Sequence, residues 1–492
     1  VLCGIYTLSF ILAAAIIFRP FVSAHKGFVW YGDGLTVQYP AFVYFGKFLR
    51  SIVKGILTGT GVPMFDFNIG MGADIIQFLS MWYFEPITIL SAFVPVQYSE
   101  ILYNILVMVR FYLAGVVFLY LCHYFKKFNL YAVAGALIYV FSGYTLYFIK
   151  HPMLFGGLLY LPLLIVGVDK MVRTKRISLF CAFVVFISLV ASYYFLYVNT
   201  LICGIYFIIR YITLRGINQV KIFFLTALKI CVTWVIGIGM AMMVFLPTFL
   251  SYLNSNRRDP IISTENLFSY GQKWFRNLFV HMFSPYEDTK FWLYNGYVII
   301  ALVAVCVLFM IKKQYTILKG AVVIVGILFS MPIFTFVFYG FNSINHRWSY
   351  VVGLVLAIIS VCMFPKMREL ETKKMKWLIF VGIFYTFFVV VGDYDVNLQS
   401  IYTMLACIAL WVTIALVFYF NLVKTEELIY KGVILLLVFC QCVVYGYYTY
   451  GERFGNYVSE FMDAGSVNEY LLSTSANVDI EDDSFYRREA AD

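Results

Sequence analysis

The stretch that decides the fold is ILYNILVMVRFYLAGVVFLYLC, residues 101–122. It holds one charged side chain, Arg110, in 22 residues. At ~1.5 Å per residue, about 20 apolar residues in a helix cross a hydrocarbon core ~30 Å thick. The same signature recurs along the chain. Thirteen spans are expected, at roughly 4–22, 101–122, 129–148, 154–169, 178–195, 197–213, 222–248, 294–311, 320–340, 348–365, 376–392, 401–421 and 432–450. The chain is 492 residues long, 62% hydrophobic and 13% charged, against about 25% charged in a soluble domain. The expected class is an all-α polytopic membrane protein, because helices satisfy their own backbone groups in lipid. A β-barrel would show alternating segments about ten residues long, and this chain shows none.

The loops give an orientation. With residues 23–100 outside, six inward connections, among them KMVRTKRI and KMRELETKKMK, hold nineteen Lys and Arg. Three short outward loops, IKHPML, FNSINHRW and GDYDVNLQ, hold two. Basic residues collect on the cytoplasmic side, so the net charge of +10 reports topology and not nucleic-acid binding. The ten cysteines lie scattered in apolar segments and read as small core hydrophobes. Residues 1–22 read as a span and not as a cleaved signal peptide.

Two outer segments are long, 23–100 and 250–293. In the first, AFVYFGKFLRSIVKGIL sets Lys47, Arg50, Ser51 and Lys54 on one helical face, as an interfacial helix near anionic headgroups would. Gly70, Met71 and Gly72 make a turn, and Pro86 starts a re-entrant or interfacial element. A transmembrane domain of 1–450 is expected, followed by the start of an outer region, 451–492.

The first outer loop contains YGDGLTVQYP, residues 31–40. Asp33 between two glycines reads either as a solvated turn or N-cap, or as a general base on an incoming hydroxyl. The glycines would let a ligand approach the backbone closely. Gln38 and Tyr39 follow at helical spacing. Asp66 and Asp74 could hold a divalent cation or tune Asp33; the alternative for Asp74 is a helix N-cap. NSINHRWSY, residues 342–350, puts His346 and Arg347 in a short outer loop, where they would face the same surface as Asp33. Arg suits bidentate phosphate recognition, His a proton or hydrogen bond. Arg110 lies mid-span, a depth that marks function by default; it either meets a lipid phosphate or pairs with a buried carbonyl or carboxylate. His151, Arg257 and Arg258 are candidate contacts to an anionic donor or acceptor, and His281 reads as a packed or interfacial histidine. There is no phosphate-binding P-loop, dinucleotide glycine motif or G-x-S-x-G element. With cytoplasmic loops too short for a nucleotide-binding domain, any group donor is membrane-borne.

The stretches YGDGLTVQYPAF, FDFNIGMGAD, SGYTLYFIKHPMLFGGLLYLPLLI and FNSINHRWSY, in this order, resemble the YfhO family of bacterial membrane proteins. The resemblance runs from the first span to about residue 450, and members usually continue with a further outer region and a last span. It implies a glycosyltransferase of the GT-C fold in the cell membrane, with an extracytoplasmic active face and Asp33 as catalytic base. It also implies a polyprenyl-phosphate sugar donor, usually on undecaprenyl phosphate, and an envelope acceptor such as a teichoic acid, especially lipoteichoic acid. Arg347, His346, Arg257, Arg110, Gln38, Tyr39, Asp74 and His151 are the candidates to bind donor phosphate or acceptor. Membrane lipids are the other expected partners; no nucleic acid is expected. No metal or cofactor is assigned, with a divalent cation left open. A transporter or flippase of a lipid-linked sugar is the competing reading and would show paired halves or broken helices around a midplane site. A pure scaffold accounts least well for Asp33 and NHRW.

Overall fold

The computed structural model describes the chain except for residues 68, 70–71, 80–83, 217, 254–266, 281, 283–285, 289–292, 312–313, 393–398, 424, 452–456 and 477–492. Arg257, Arg258, His281 and Met71 therefore lie outside the described residues. The chain is helical almost throughout, with three two-stranded pairs among the described residues. Each of the thirteen expected apolar segments is helical. Among the described residues, eight helices are long and apolar enough to cross a membrane, and ten if each of two bent pairs forms one span.

The bends have local causes. Thr316–Ser330 and Pro332–Phe338 meet at 99°, where Pro332 starts the second helix and cannot donate back to the first. Leu130–Val140 and Gly143–Lys150 meet at 44°. Gly143 N–H there donates across to the Gly296 carbonyl, 2.7 Å, instead of up its own helix. Of the four shorter apolar helices among the described residues, three stand where separate spans are expected: Leu2–Ile17, Leu179–Ala191 and Ile299–Met310, 16, 13 and 12 residues long. They fall short of the ~20 residues a span needs, which is why the count lies below thirteen.

Three of the long helices run in the same direction. Ser99–Tyr124, Gly156–Thr174 and Tyr350–Met367 start beside the segment 23–98, His151 and Arg347, and end beside Lys127, Arg173 and Arg368. The bundle thus has one end bearing Asp33 and one basic end. Gly156–Thr174 belongs to the most enclosed span. It can pack this closely because Gly167 meets the next helix without a side chain: a Cβ there would lie 2.6 Å from Cys181 Sγ. Near its basic end, fully buried Asp169 accepts from Arg173, Arg210, Tyr124 and Tyr206.

On the Asp33 end, the expected interfacial helix is Tyr39–Thr58, closed by Gly59 in the left-handed region at φ 70°. Its basic face is divided. Lys47 and Lys54 are exposed, while Arg50 turns to donate to the carbonyls of Ser91, Ala92 and Val94. Arg50 thereby holds the 3-10 helix Pro86–Phe93 against this helix.

Candidate functional site

The site grows from the strand Lys26–Trp30, which pairs antiparallel with Phe461–Asp463, a segment that follows the helix Glu427–Tyr450. Lys26 ion-pairs with Asp463 at 2.8 Å, and Glu100 accepts from the N–H groups of Gly465 and Val467. Residues 457–467 are in this way laid over the first loop, and Glu460 is delivered to Trp30. Its carboxylate accepts the Trp30 indole N–H at 3.0 Å and pairs with Lys150 at 2.7 Å. Lys150 is buried, and its ammonium also faces the rings of Tyr457, Trp30 and Tyr147 at 4.3, 5.5 and 5.5 Å.

Past Trp30 the chain turns through Tyr31 and Gly32 into a π-turn, Gly34–Gln38, with Asp33 at its start. Such turns are rare and recur at functional sites. Asp33 is exposed, and no described residue hydrogen-bonds or ion-pairs its carboxylate. The two glycines serve Trp30. A Cβ on Gly32 would lie 2.6 Å from the indole ring, and one on Gly34 3.0 Å from the Trp30 Cβ. Neither glycine has a positive φ. Both glycines leave room for the indole side chain, which folds back against them. Because Glu460, His151 and Lys150 all fix that ring, Gly32→Ala should cost about 1–3 kcal/mol as overpacking. The test is thermal unfolding together with the tryptophan emission change, referenced to Trp30→Phe. Unchanged stability and emission would mean that the indole does not lie over Gly32.

The π-turn is anchored at its far end. Gln38 is buried; its amide donates to His151 Nδ1 at 2.6 Å, and its carbonyl receives the Tyr103 hydroxyl at 3.5 Å. His151 also meets Trp30 edge-on at 5.0 Å. With Nδ1 accepting, the neutral ring carries its proton on Nε2, which no described residue engages. Burial first, then the charges of Arg347 and Lys150, lower the His151 pKa from 6.5 to about 3. The unfolded chain protonates this ring near 6.5, so the folded state loses stability as pH falls from about 6.5 towards 3. Wild-type melting temperature should drop through that window more steeply than that of His151→Gln; equal slopes would place His151 in water.

Arg347 acts on His151 through its charge, and its guanidinium lies 5.5 Å over the Tyr339 ring. Asp33, Gln38, His151 and Arg347 thus belong to one end of the bundle, with Lys150, Trp30 and Glu460 beneath.

A model of the family described as "Bacterial membrane protein YfhO" matches residues 6–491. The chain belongs to the YfhO family. A curated relative, "Uncharacterized protein YfhO" from Bacillus subtilis (strain 168), is 26% identical over 267 residues. That match covers 51% of this chain and 28% of the relative, so the chain spans well under two thirds of the relative's length. No solved structure matches the chain.

Among the remaining candidates in this YfhO family member, Arg110 and Asp74 take structural roles that their sequence reading had offered as alternatives. Arg110 pairs with Glu85 at 2.6 Å, both buried, and also reaches the Leu106 carbonyl and Thr88. Of its two readings, the structure shows the pairing with a buried carboxylate. His346 is corrected: it does not face the surface. It is fully buried, shares a 3.0 Å hydrogen bond with the Tyr270 hydroxyl and is enclosed by Trp274, Phe329 and Trp348. Asp74 accepts the Gln77 N–H at 2.8 Å, as a helix cap does. Asp66 accepts the Tyr44 hydroxyl at 2.6 Å. Tyr39 is buried, with its hydroxyl donating to Asn468 at 2.6 Å. Among the described residues no three of His, Cys, Asp and Glu group as metal ligands. Sequence reading missed Trp30, Tyr103 and Glu460 and gave Lys150 no role of its own. The one signal for Glu460 was an acidic residue shortly after the last apolar run.

Proposed function

We propose that this chain is a membrane glycosyltransferase. It moves a sugar from a polyprenyl-phosphate donor to an extracytoplasmic envelope acceptor such as lipoteichoic acid. The observation that carries this reading is Asp33: an exposed carboxylate, unengaged by any described residue, on a π-turn fixed at both ends. In the reaction Asp33 takes the proton of an acceptor hydroxyl. The oxygen attacks the anomeric carbon, the bond from that carbon to the phosphate oxygen breaks, and the electron pair leaves with the polyprenyl phosphate. The stereochemistry is inverting. Arg347 supplies positive charge as the leaving phosphate forms, and His151, held neutral, offers an Nε2–H donor. Lys150 is saturated by Glu460 and three rings, so it contributes field and rigidity.

The test is an assay in proteoliposomes with the lipid-linked donor and the acceptor confined to one face. Transfer without translocation is the expected result. Movement of the lipid-linked sugar to the opposite face with no transfer would replace this reading with the transporter.

A further inference from the structure

A cavity opens among five of the long helices. It encloses about 570 Å³, within the size range of small-molecule sites. Its walls come from Ser99–Tyr124, Gly156–Thr174, Tyr193–Arg215, Thr316–Ser330 and Tyr350–Met367, and residues such as Leu161, Ile205, Val325 and Ile358 make them almost wholly apolar. It follows one helix from Thr213 to Ile202 and another from Thr316 to Leu328. At ~1.5 Å per residue that is a slot ~17 Å long, about half of a ~30 Å hydrocarbon core.

The polar end of the slot is the basic end of the bundle. Lys127 and Arg210 line it there with Tyr206 and Thr213. Fully buried Asp169 is shared by Arg173 and Arg210, both at 2.5 Å, so one carboxylate against two guanidinium groups leaves net +1. Lys127, exposed at the mouth, adds a second positive charge. Arg210 reaches Asp169 through Nε, and its two terminal nitrogens make no hydrogen bond to any described residue. An apolar slot as deep as one leaflet, with excess positive charge at the level of its headgroups, has the polarity of an anionic lipid.

We infer that this cavity binds an anionic membrane lipid, with its phosphate at Arg210 and Lys127 and an acyl chain in the slot. The phosphate end of the site lies at the end of the helices opposite Asp33, while the apolar end of the slot reaches Val351, in the first turn of the helix that follows Arg347.

The experiment uses the purified chain in neutral detergent and reads lipid retention by native mass spectrometry and melting temperature. The probes are phosphatidylglycerol, phosphatidylcholine and glycerol phosphate. Phosphatidylglycerol should be retained and raise the melting temperature; the zwitterionic lipid and the free headgroup should do neither. Lys127→Gln should weaken phosphatidylglycerol binding about threefold, an effect that shrinks in high salt. Ile358→Trp should fill the slot and abolish retention while the lipid-free protein stays folded. Arg210→Gln also disturbs the Asp169 cluster, so the decision rests on these two variants. Equal retention of both lipids would overturn the inference, as would a shift from glycerol phosphate alone. Binding lost in Ile358→Trp but unchanged in Lys127→Gln would also overturn it, because the occupant's phosphate would then sit elsewhere.

Discussion

Cells lacking this protein and complemented with Asp33→Asn should show no return of the sugar signals that wild type restores to lipoteichoic acid by NMR. The substitution keeps the size and a hydrogen-bonding oxygen of the side chain but removes its ability to take a proton. Loss of a general base typically costs 10²–10⁴-fold in rate, enough to empty the sugar signal at matched membrane abundance. Stability should hardly move. The carboxylate is exposed and no described residue depends on it, and surface changes of that kind stay within about ±0.5 kcal/mol. A parallel melting curve therefore separates lost chemistry from lost fold. Full restoration of the sugar by Asp33→Asn would remove Asp33 as the base and with it the observation on which the glycosyltransferase reading rests.

How far the sequence could be read depends on the physics behind each feature. Apolar helices were legible because lipid allows little else over a 20-residue run. Span lengths were less so: what shortens them are turns such as the one at Pro332, which leave local composition unchanged. Asp33 could be found because its loop returns to the bundle on both sides, but its surroundings could not. Trp30 and Glu460, which share a hydrogen bond, are 430 residues apart in the chain. His346 was read correctly as sitting in a very short loop and wrongly as facing out. The residues that enclose it, Tyr270 and Trp274, arrive from a different segment of the chain, and no local pattern in NSINHRWSY announces them. Close packing also hides the use of a glycine. Gly32 and Gly34 look like flexible backbone in the sequence, whereas they leave room for an indole.

Glu85→Ala should be the most destabilising single change at the Asp33 end of the bundle. Side chains of Arg110 and Glu85 are 8% and 5% exposed, and two Arg110 nitrogens lie within 2.8 Å of one Glu85 oxygen. Taking one partner from a buried pair leaves the other charge without compensation, typically at 3–5 kcal/mol. An arginine at membrane depth adds to that cost. Thr88 and the Leu106 carbonyl contact the guanidinium but carry no negative charge to replace the carboxylate. The double change Glu85→Leu with Arg110→Leu removes both charges and fills a similar volume, so it should melt close to wild type. Melting curves in one detergent for the wild type, both single variants and the double variant give the coupling directly. A Glu85→Ala protein that melts at the wild-type temperature would show that the pair is solvated. The same double variant tests whether Arg110 also meets a lipid phosphate. If it folds and still transfers sugar, Arg110 holds the 3-10 helix to its span and nothing more. If it folds and transfer is lost, the guanidinium also serves the donor phosphate, with Glu85 as the partner that keeps it in place.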